Sequence, residues 1–425
     1  MPRPVLLYVA SRWPWPVQTG RQRMIDQAIR FAGATHEVHL AVQSSSDLPA
    51  APDGLVASVV RLPAPSAPEA LLNLLRGRCA TLQDSLFTSA AGRSAFAETA
   101  GRLNPDVAVY DMARMAGYGL DRMSKNGSRC RQIVDLDDLL SSRYAAMAQG
   151  KPGALLGAFH KRMPKAIQIS ARVLPNFLAG IEGRLMARRE NALTDLFDAV
   201  SLVSSKEAEE LSRRTGATNI FATPPAIDRR AAPLPWNGAP LRFIFLGAAA
   251  YGPNADALLK LEAIAEHLAT RGRAVTFDAY GEPNLKLRLR RVSVLGYQRD
   301  LDQPLGPGAV LVAPIQTGTG VKTKVLEAMS RGVPVITTMK GVDGLMVEPG
   351  IHAVITKGVS GFADAIEAAL DDPAHMERIG RAGYHYAAAR HDPDLVAKGF
   401  EALLRGGSVG ITAAEMREFN RTSLA

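Results

Sequence analysis

Along the chain, short uninterrupted apolar runs alternate with segments whose apolar residues recur every three or four positions. "VLLYVA" (5–10) precedes such a segment at 20–32, and "EVHLAV" (37–42) follows it. Further runs are "VAVYD" (107–111), "QIVDLD" (132–137), "AVSLVS" (199–204) and "NIFAT" (219–223), with a short helical pattern at 206–215 between the last two. Runs that are apolar at nearly every position, rather than at alternate ones, suit strands covered on both faces of a parallel sheet.

The alternation pauses at "TPPAIDRRAAPLPWNGAP" (223–240), where five prolines and a glycine read as a linker. It then restarts. "LRFIFLG" (241–247), "AVTFDAYG" (274–281), "VSVLG" (292–296), "AVLVAPI" (309–315), "VPVITT" (333–338) and "HAVIT" (352–356) are predicted strands. Helices are predicted at 254–269, 320–330, 360–370, 375–389 and 390–404. A βαβα pattern run twice predicts an α/β protein of two doubly wound, Rossmann-like domains with a cleft between them. The first spans 1–225 and the second 241–390, joined by a Pro-rich linker at 226–240. Residues 406–425 read as a loosely ordered tail. Ligands of such sheets sit at the carboxyl ends of strands.

Composition narrows the function. The 425 residues carry a net charge of +9, which favours an anionic partner. Two cysteines, Cys79 and Cys130, exclude a disulfide framework and a cysteine-based metal site. No apolar run reaches the ~18 residues of a membrane span, and the first apolar run is too short for a signal-peptide core; a cytoplasmic protein is expected. The eight histidines have no Cys or Asp at ligand spacing, and no G-x-S-x-G or HExxH motif is present. Without an aromatic-interleaved basic platform or zinc-finger spacing, no nucleic-acid partner is expected.

The strongest chemical signal is "PIQTGTGVKTKVLEAMSRGVPVI" (314–336). Gly318 and Gly320 let the backbone turn tightly and approach a ligand. A helix from Val321 to Ser330 would then carry Lys322 and Lys324 in its first turn, at an end already partly positive. Each lysine there costs roughly 0.3–1 kcal/mol. A bound diphosphate would reverse that cost. Glu327, one turn on, could accept two hydrogen bonds from a ribose diol. The plain alternative is a glycine-rich turn with solvated lysines and a Lys324–Glu327 pair. The spacing is not that of a Walker loop.

"GTGVKTKVLEAMSRGVPVITTMKGVDGL" (318–345) resembles the donor-site segment of GT-B glycosyltransferases of the large retaining family four. It is especially similar to sugar transferases associated with bacterial exopolysaccharide loci of the PEP-CTERM/exosortase type. "VLLYVASRWPWPVQTGRQRMIDQAIRFA", "IVDLDDLLSSRYAAMA" and "FLGAAAYGPNADALL" extend the resemblance over nearly the whole chain. It implies a metal-independent, retaining transferase that needs no cofactor. The donor's diphosphate would lie against Gly318, Thr319, Gly320 and Val321, with Lys322 and Lys324 stabilising its departure and Glu327 on the ribose. Gly247, Tyr251 and Asn254, in the loop after the first strand of the second domain, complete the implied donor side. Thr319 stands where the family usually has a second glutamate, and no basic residue occupies the "GAAAYGPN" loop. The helix at 391–405 would cross back to the first domain.

Three further stretches are candidates. In "WPWPVQTGRQR" (13–23), Gly20 permits close backbone approach, and Arg21 and Arg23 again place positive charge at a helix start; the family's corresponding loop approaches phosphate and acceptor. The plain alternative is surface tryptophans with solvated arginines. "DLDD" places Asp137 or Asp138 as the N-cap of a helix at 139–148, with Asp137 also a candidate for acceptor hydroxyls. Tyr110 and Asp111 end the preceding strand and are expected to face the same cleft. Finally, residues 151–190 hold Lys151, Lys161, Arg162, Lys165, Arg172, Arg184, Arg188 and Arg189 against Glu182 and Glu190. A helix at 176–197 with Phe177, Leu178, Ile181, Leu185, Leu193 and Phe197 as its apolar stripe reads first as a core-facing domain helix. Docking to an anionic membrane face, where a polyprenyl-diphosphate-linked acceptor is presented, is the other reading.

The resulting expectation is transfer of a sugar from a nucleoside-diphosphate sugar to a hydroxyl of a lipid-linked or growing exopolysaccharide glycan. A nucleotide-sugar epimerase on the same fold and a non-catalytic nucleotide-sugar-binding protein are the alternatives.

Overall fold

The computed structural model describes residues 2–17, 19–76, 79–119, 130–148, 175–228, 230–236, 238–249, 251–283, 287–317 and 320–406. They form two compact units, Met1–Pro224 with Ala397–Ala425, and Pro225–Val396.

The first unit is built on a seven-stranded parallel sheet in the order β3-β2-β1-β4-β5-β6-β7. Its strands are β1 (Val5–Ala10), β2 (Glu37–Ser44), β3 (Ser58–Pro63), β4 (Val107–Asp111), β5 (Arg131–Asp135), β6 (Ala199–Leu202) and β7 (Ile220–Ala222). Its helices are α1 (Gly20–Gly33), α2 (Ala67–Leu75), α3 (Leu82–Phe87), α4 (Ala90–Leu103), α5 (Leu140–Ala148), α6 (Pro175–Leu196) and α7 (Ser205–Thr215). Strand pleating sends alternate residues to opposite layers. Leu7 and Val9 join the core that contains Phe87, Phe96 and Tyr110, while Leu6 and Tyr8 join the one with Ile25 and Ile29. Both faces are covered, which is why β1 is apolar throughout.

The second unit has a six-stranded parallel sheet, β10-β9-β8-β11-β12-β13. The strands are β8 (Arg242–Leu246), β9 (Phe277–Tyr280), β10 (Val292–Val294), β11 (Ala309–Ala313), β12 (Val335–Thr337) and β13 (Val354–Ile355). The helices are α8 (Gly252–Thr270), α9 (Thr323–Met329), α10 (Gly358–Asp371) and α11 (Pro373–His391). Phe243 and Phe245 pack into one layer and Ile244 and Leu246 into the other. The Pro-rich stretch belongs to this unit: Ile227 is buried in its core, its amide donates to the His391 carbonyl at 2.9 Å, and Leu234 N–H donates to the Arg331 carbonyl at 2.9 Å. Its prolines suit a strap that donates few amides rather than a free linker. Helix α12 (Pro393–Arg405) begins in the second unit and ends in the first. There Phe400, Leu403 and Leu404 join the layer under β1, and Arg131 Nε donates to the Leu403 carbonyl at 2.9 Å.

Two local expectations are corrected. Neither Asp137 nor Asp138 caps α5. The Leu139 amide is satisfied by Glu207 at 3.3 Å and the Ser141 amide by Glu190 at 3.0 Å. Likewise Glu182 accepts from the Leu82 and Gln83 amides, both at 3.2 Å, at the start of α3. These long-range caps account for the second correction. The buried face of α6 holds Ala179, Glu182, Met186, Glu190 and Leu193; Leu193 and Phe197, the latter just past the helix, are buried as expected, whereas Phe177 and Ile181 of the expected apolar stripe are 65% and 41% exposed. Glu182 and Glu190 turn inward because helix amides need acceptors, and the face follows them. Lys151, Lys161, Arg162, Lys165 and Arg172 lie outside the described residues.

Candidate functional site

In each sheet the chain winds outward in one direction, returns to the middle and winds the other way. The reversal falls between β1 and β4 in the first sheet and between β8 and β11 in the second. Strands on either side of such a point send their loops apart, which opens a crevice at their carboxyl ends. Both groups of candidate residues stand at these two places.

At the second switch point, β8 runs into Gly247 and β11 into the glycine loop. β8 and β11 are hydrogen-bonded neighbours, Ile244 opposite Leu311. Lys324, in the first turn of α9, crosses to the β8 side. Its Nζ donates to Asn254 Oδ1 at 2.7 Å and lies 4.3 Å from the centre of the Phe245 ring. Asn254 is oriented by its own Nδ2, which donates to the Ala248 carbonyl at 2.9 Å. Gly247 makes room for the group. It has φ +151°, and a Cβ there would sit 2.6 Å from Asn254 Nδ2 and 2.7 Å from Lys324 Nζ. Beneath it, Gly281 has φ +158° and would drive a Cβ to within 2.3 Å of the Gly247 carbonyl oxygen. These two glycines are therefore required by close approach.

Burial, and then the neighbouring Lys322 ammonium, push the Lys324 ammonium down to about 7. A low-dielectric setting disfavours the charged form, and a like charge adds to this. Lys322 Nζ folds back to the Gly320 carbonyl at 2.5 Å.

The helix differs from its expectation. α9 spans only Thr323–Met329, with Val321 before it and Lys322 as its N-cap in extended geometry, making no side-chain capping bond. Gly320, at φ +70°, has open space around its missing Cβ. The backbone turns there, so the helix cannot begin at 320 or 321. Only Lys324 of the pair stands in the first turn, and its contacts with Asn254 and Phe245, rather than a helix dipole, define its setting. Glu327 lies one turn further on and pairs with Arg331, Oε2 to Nη1 2.9 Å, not with Lys324. Tyr251 is the N-cap of α8, also without a side-chain capping bond, and its ring is exposed. Gly318 and Thr319 lie outside the described residues.

At the first switch point, Arg21 is not a solvated helix-start cation. It is buried, with Nε donating to Asp111 Oδ1 at 2.6 Å, Nη2 to Asp135 Oδ2 at 2.8 Å and Nη1 to Asp137 Oδ1 at 3.1 Å. Burial alone would lower its basicity, but Asp111, then Asp135 and Asp137, hold it well above the ordinary arginine value. Burial acts to raise the Asp111 carboxyl, yet Arg21, Arg12 and Ser11 outweigh it and hold it below the usual range. The Ser11 amide donates to Asp111 Oδ2 at 2.7 Å, and its hydroxyl donates to the same oxygen. Asp137 goes the other way: burial raises it to about 6 against the pull of Arg21, with Asp138 adding to the rise.

Two expectations here are overturned. Tyr110 does not face a cleft: its ring packs against Phe96 and Phe197, and its hydroxyl bonds Gln132 Oε1 at 3.0 Å. As the residue before Asp111 on a pleated strand, it must point to the opposite layer. Gly20 is the first residue of α1 and a Cβ there would meet nothing within 4 Å, so no close approach requires glycine. The helix start is secured by a capping box between Thr19 and Gln22. Arg23 is half-buried on the same turn.

Phe245, Ser11, Arg12, Arg114 and Arg143 were not anticipated. The aromatic at the penultimate position of β8, and basic residues two places beyond β1 and three beyond β4, were the available signals.

Residues 240–372 match the family model described as Glycosyl transferases group 1. No curated protein sequence matches the chain significantly. Among solved structures, Anabaena HepE in complex with UDP is similar at 14% identity, over 94% of this chain and 99% of that one, with a TM-score of 0.61. Its complex with UDP-glucose is similar at 13% identity, over 94% and 99%, with a TM-score of 0.59. Sucrose-phosphate synthase from Thermosynechococcus elongatus is similar at 15% identity, over 94% and 98%, with a TM-score of 0.64. WaaG, a glycosyltransferase involved in lipopolysaccharide biosynthesis, is similar at 12% identity, over 95% and 100%, with a TM-score of 0.57. Identities this low speak to the fold alone. The two parallel-sheet, Rossmann-like domains of this chain have the fold shared by these proteins, the GT-B class expected from the sequence.

Proposed function

We propose that the protein is a glycosyltransferase moving a sugar from a nucleoside-diphosphate sugar to an acceptor hydroxyl, with retention at the anomeric carbon. The observation that carries this reading is Lys324. A half-buried lysine amine, beside Lys322 and oriented by Asn254, stands at the switch point of a doubly wound sheet. The family match over 240–372 and the UDP and UDP-glucose complexes of Anabaena HepE support a nucleotide-sugar donor. In this reading the diphosphate meets Lys324, Lys322 and the Gly318–Thr319–Gly320–Val321 loop. Glu327 holds the ribose, and Gly247, Tyr251 and Asn254 border the donor. As the sugar–phosphate bond breaks, negative charge grows on the departing diphosphate. A fixed cation in a water-poor setting stabilises it without reorganising. No metal ion or cofactor enters the scheme.

The acceptor in this proposal is a glycan, lipid-linked through polyprenyl diphosphate or growing as exopolysaccharide. Arg23 and Asp137 line its side, with Arg21 and Asp111 buried behind them. No helix among the described residues is long and apolar enough to cross a membrane. A cytoplasmic enzyme, peripheral on the inner face of the membrane, fits the outer stripe of α6, where Phe177, Ile181, Arg184 and Arg188 are all exposed at one helical face. Co-sedimentation with phosphatidylglycerol vesicles should exceed that with phosphatidylcholine vesicles and fall in Phe177→Asp/Arg184→Glu. Equal sedimentation with both lipids would remove this part of the proposal.

The direct test is a panel of nucleoside-diphosphate sugars. At least one should be hydrolysed slowly or transferred, releasing the nucleoside diphosphate; a panel with neither binding nor turnover would defeat the reading.

Binding should also be proton-linked. Above pH 7 the free protein holds Lys324 largely neutral, whereas a bound diphosphate favours the ammonium form. Binding at pH 8 should therefore take up close to one proton, and affinity should weaken as pH rises from about 7 toward 9. Calorimetry of UDP binding in buffers of different ionisation enthalpy reads this directly. Identical apparent enthalpies in all buffers would contradict it.

A further inference from the structure

The second unit carries a cavity of about 430 Å³ between the Pro-rich strap and α11. Sites for small molecules measure about 300–1,000 Å³. Gly332, which lines it, stands in the turn that leads from α9 into β12. The cavity therefore lies at the amino ends of the parallel strands, the opposite end of the sheet from Lys324.

Its walls are held by close contacts. Gly332 has φ +77°, and a Cβ there would sit 2.5 Å from Pro233 Cβ; a Cβ on Gly380 of α11 would sit 2.2 Å from the Gly332 carbonyl oxygen. Strap, turn and helix thus stack more closely than any side chain at these glycines allows. The Tyr384 hydroxyl of α11 also donates to the Arg230 carbonyl of the strap, at 2.8 Å.

One wall is apolar and the other polar. Pro233, Pro235 and Trp236 form the first, and the prolines bring no N–H to it. Trp236 is half-buried, resting partly on the core of the unit. Glu377, Arg381 and His385 form the second wall. Their spacing puts them on one face of α11, at steps of about 6 Å along it. Arg381 and His385 are exposed and Glu377 is half-buried. Glu377 Oε1 and Arg381 Nε stand 3.7 Å apart, beyond hydrogen-bond length. Among the described residues, none forms a hydrogen bond with the side chains of Trp236, Glu377, Arg381 or His385. The polar wall offers acceptors and donors together, while the carboxylate and the guanidinium offset each other's charge.

We propose that this cavity binds a neutral pyranose ring of a glycan. A pyranose has an apolar C–H face and a rim of hydroxyls, the same division as the two walls. Its face lies on Trp236 and the prolines, and its hydroxyls bond Glu377, Arg381 and His385. A lone anion gains little beside Glu377, and a lone cation little beside Arg381. The site holds a glycan on the enzyme and so raises its local concentration. That this glycan is the acceptor or its product rests on the glycosyl-transfer reading; the sugar site itself does not.

The test is saturation-transfer NMR of the full chain, with UDP present, against maltotriose, cellotriose, tri-N-acetylchitotriose and hexaproline. At least one trisaccharide should receive saturation, most strongly at its ring C–H protons, and hexaproline should not. Trp236→Ala should weaken binding by about tenfold or more. Because Trp236 also touches the core, the exposed pair Arg381→Ala/His385→Ala serves as the second variant and should weaken it likewise with no change in melting temperature. UDP affinity should stay unchanged in both. If UDP fails to bind but trisaccharide binding persists in Lys324→Met and is lost in Trp236→Ala, the sugar site stands and the donor reading falls. No transfer to any trisaccharide, transfer unaltered in both variants, or binding of hexaproline in place of the sugars would overturn the proposal.

Discussion

Lys324→Met should lower kcat/KM for sugar transfer by about 10²–10³-fold, the range seen when one preorganised donor to a developing oxyanion is removed. The melting temperature should hardly fall. Methionine keeps the length of the stem against Phe245 and Asn254, and it removes an ammonium that burial disfavours. Function and stability therefore part company at this residue. Lys322→Ala should have a smaller effect on turnover and should return Lys324 toward its ordinary basicity, since the like charge beside it is gone. The proton uptake on UDP binding at pH 8 would shrink with it. Parallel losses of melting temperature and activity in Lys324→Met would show that the lysine serves packing rather than an anion.

Arg21→Met should do the reverse and strike stability first. The substitution leaves Asp111, Asp135 and Asp137 gathered at one point without the guanidinium that joins them. Breaking a buried ion cluster by removing one partner costs about 3–5 kcal/mol, because charge is left uncompensated. For a unit of this size that corresponds to a fall of about 10 °C in melting temperature. The deficit should narrow as pH drops from 7 to 4. Asp111 is held below the usual carboxylate range in the parent by Arg21 and Arg12, against the upward push of burial, so its stabilising ionisation persists across this window and is lost only at lower pH. In the variant the same carboxyls protonate more readily, which relieves their repulsion. Calorimetric melts of parent and variant across that range decide the matter. An unchanged melting temperature at pH 7 would mean that Arg21 is not the structural centre of this corner.

Much of the architecture is legible in the chain because strands buried on both faces leave little choice of residue. β1, β4, β8 and β11 announce themselves this way. β3 does not: at the edge of its sheet, "SVVRLP" is only partly buried and carries Arg61 outward. Helix α4 also escapes notice, since "AAGRSAFAETAGRL" is dominated by small residues and shows weak periodicity. The helix after the glycine loop is read two to three residues too long, because Gly320 and Val321 look helical by pattern while the backbone turns at Gly320. At the two switch points, individual residues are visible and their partners are not. Lys324 meets Asn254 across 70 positions, and Arg21 meets its three aspartates across 90 to 116. A positive residue at a helix start has the same local pattern whether it awaits a phosphate or is enclosed by carboxylates. Only the fold distinguishes Lys324 from Arg21.

The most direct measurement is a crystal structure of the protein with bound UDP. The account predicts diphosphate oxygens within hydrogen-bond distance of Lys324 Nζ at the carboxyl ends of β8 and β11, with the ribose against Glu327. A diphosphate bound elsewhere, with Lys324 still turned only to Asn254 and Phe245, would contradict it.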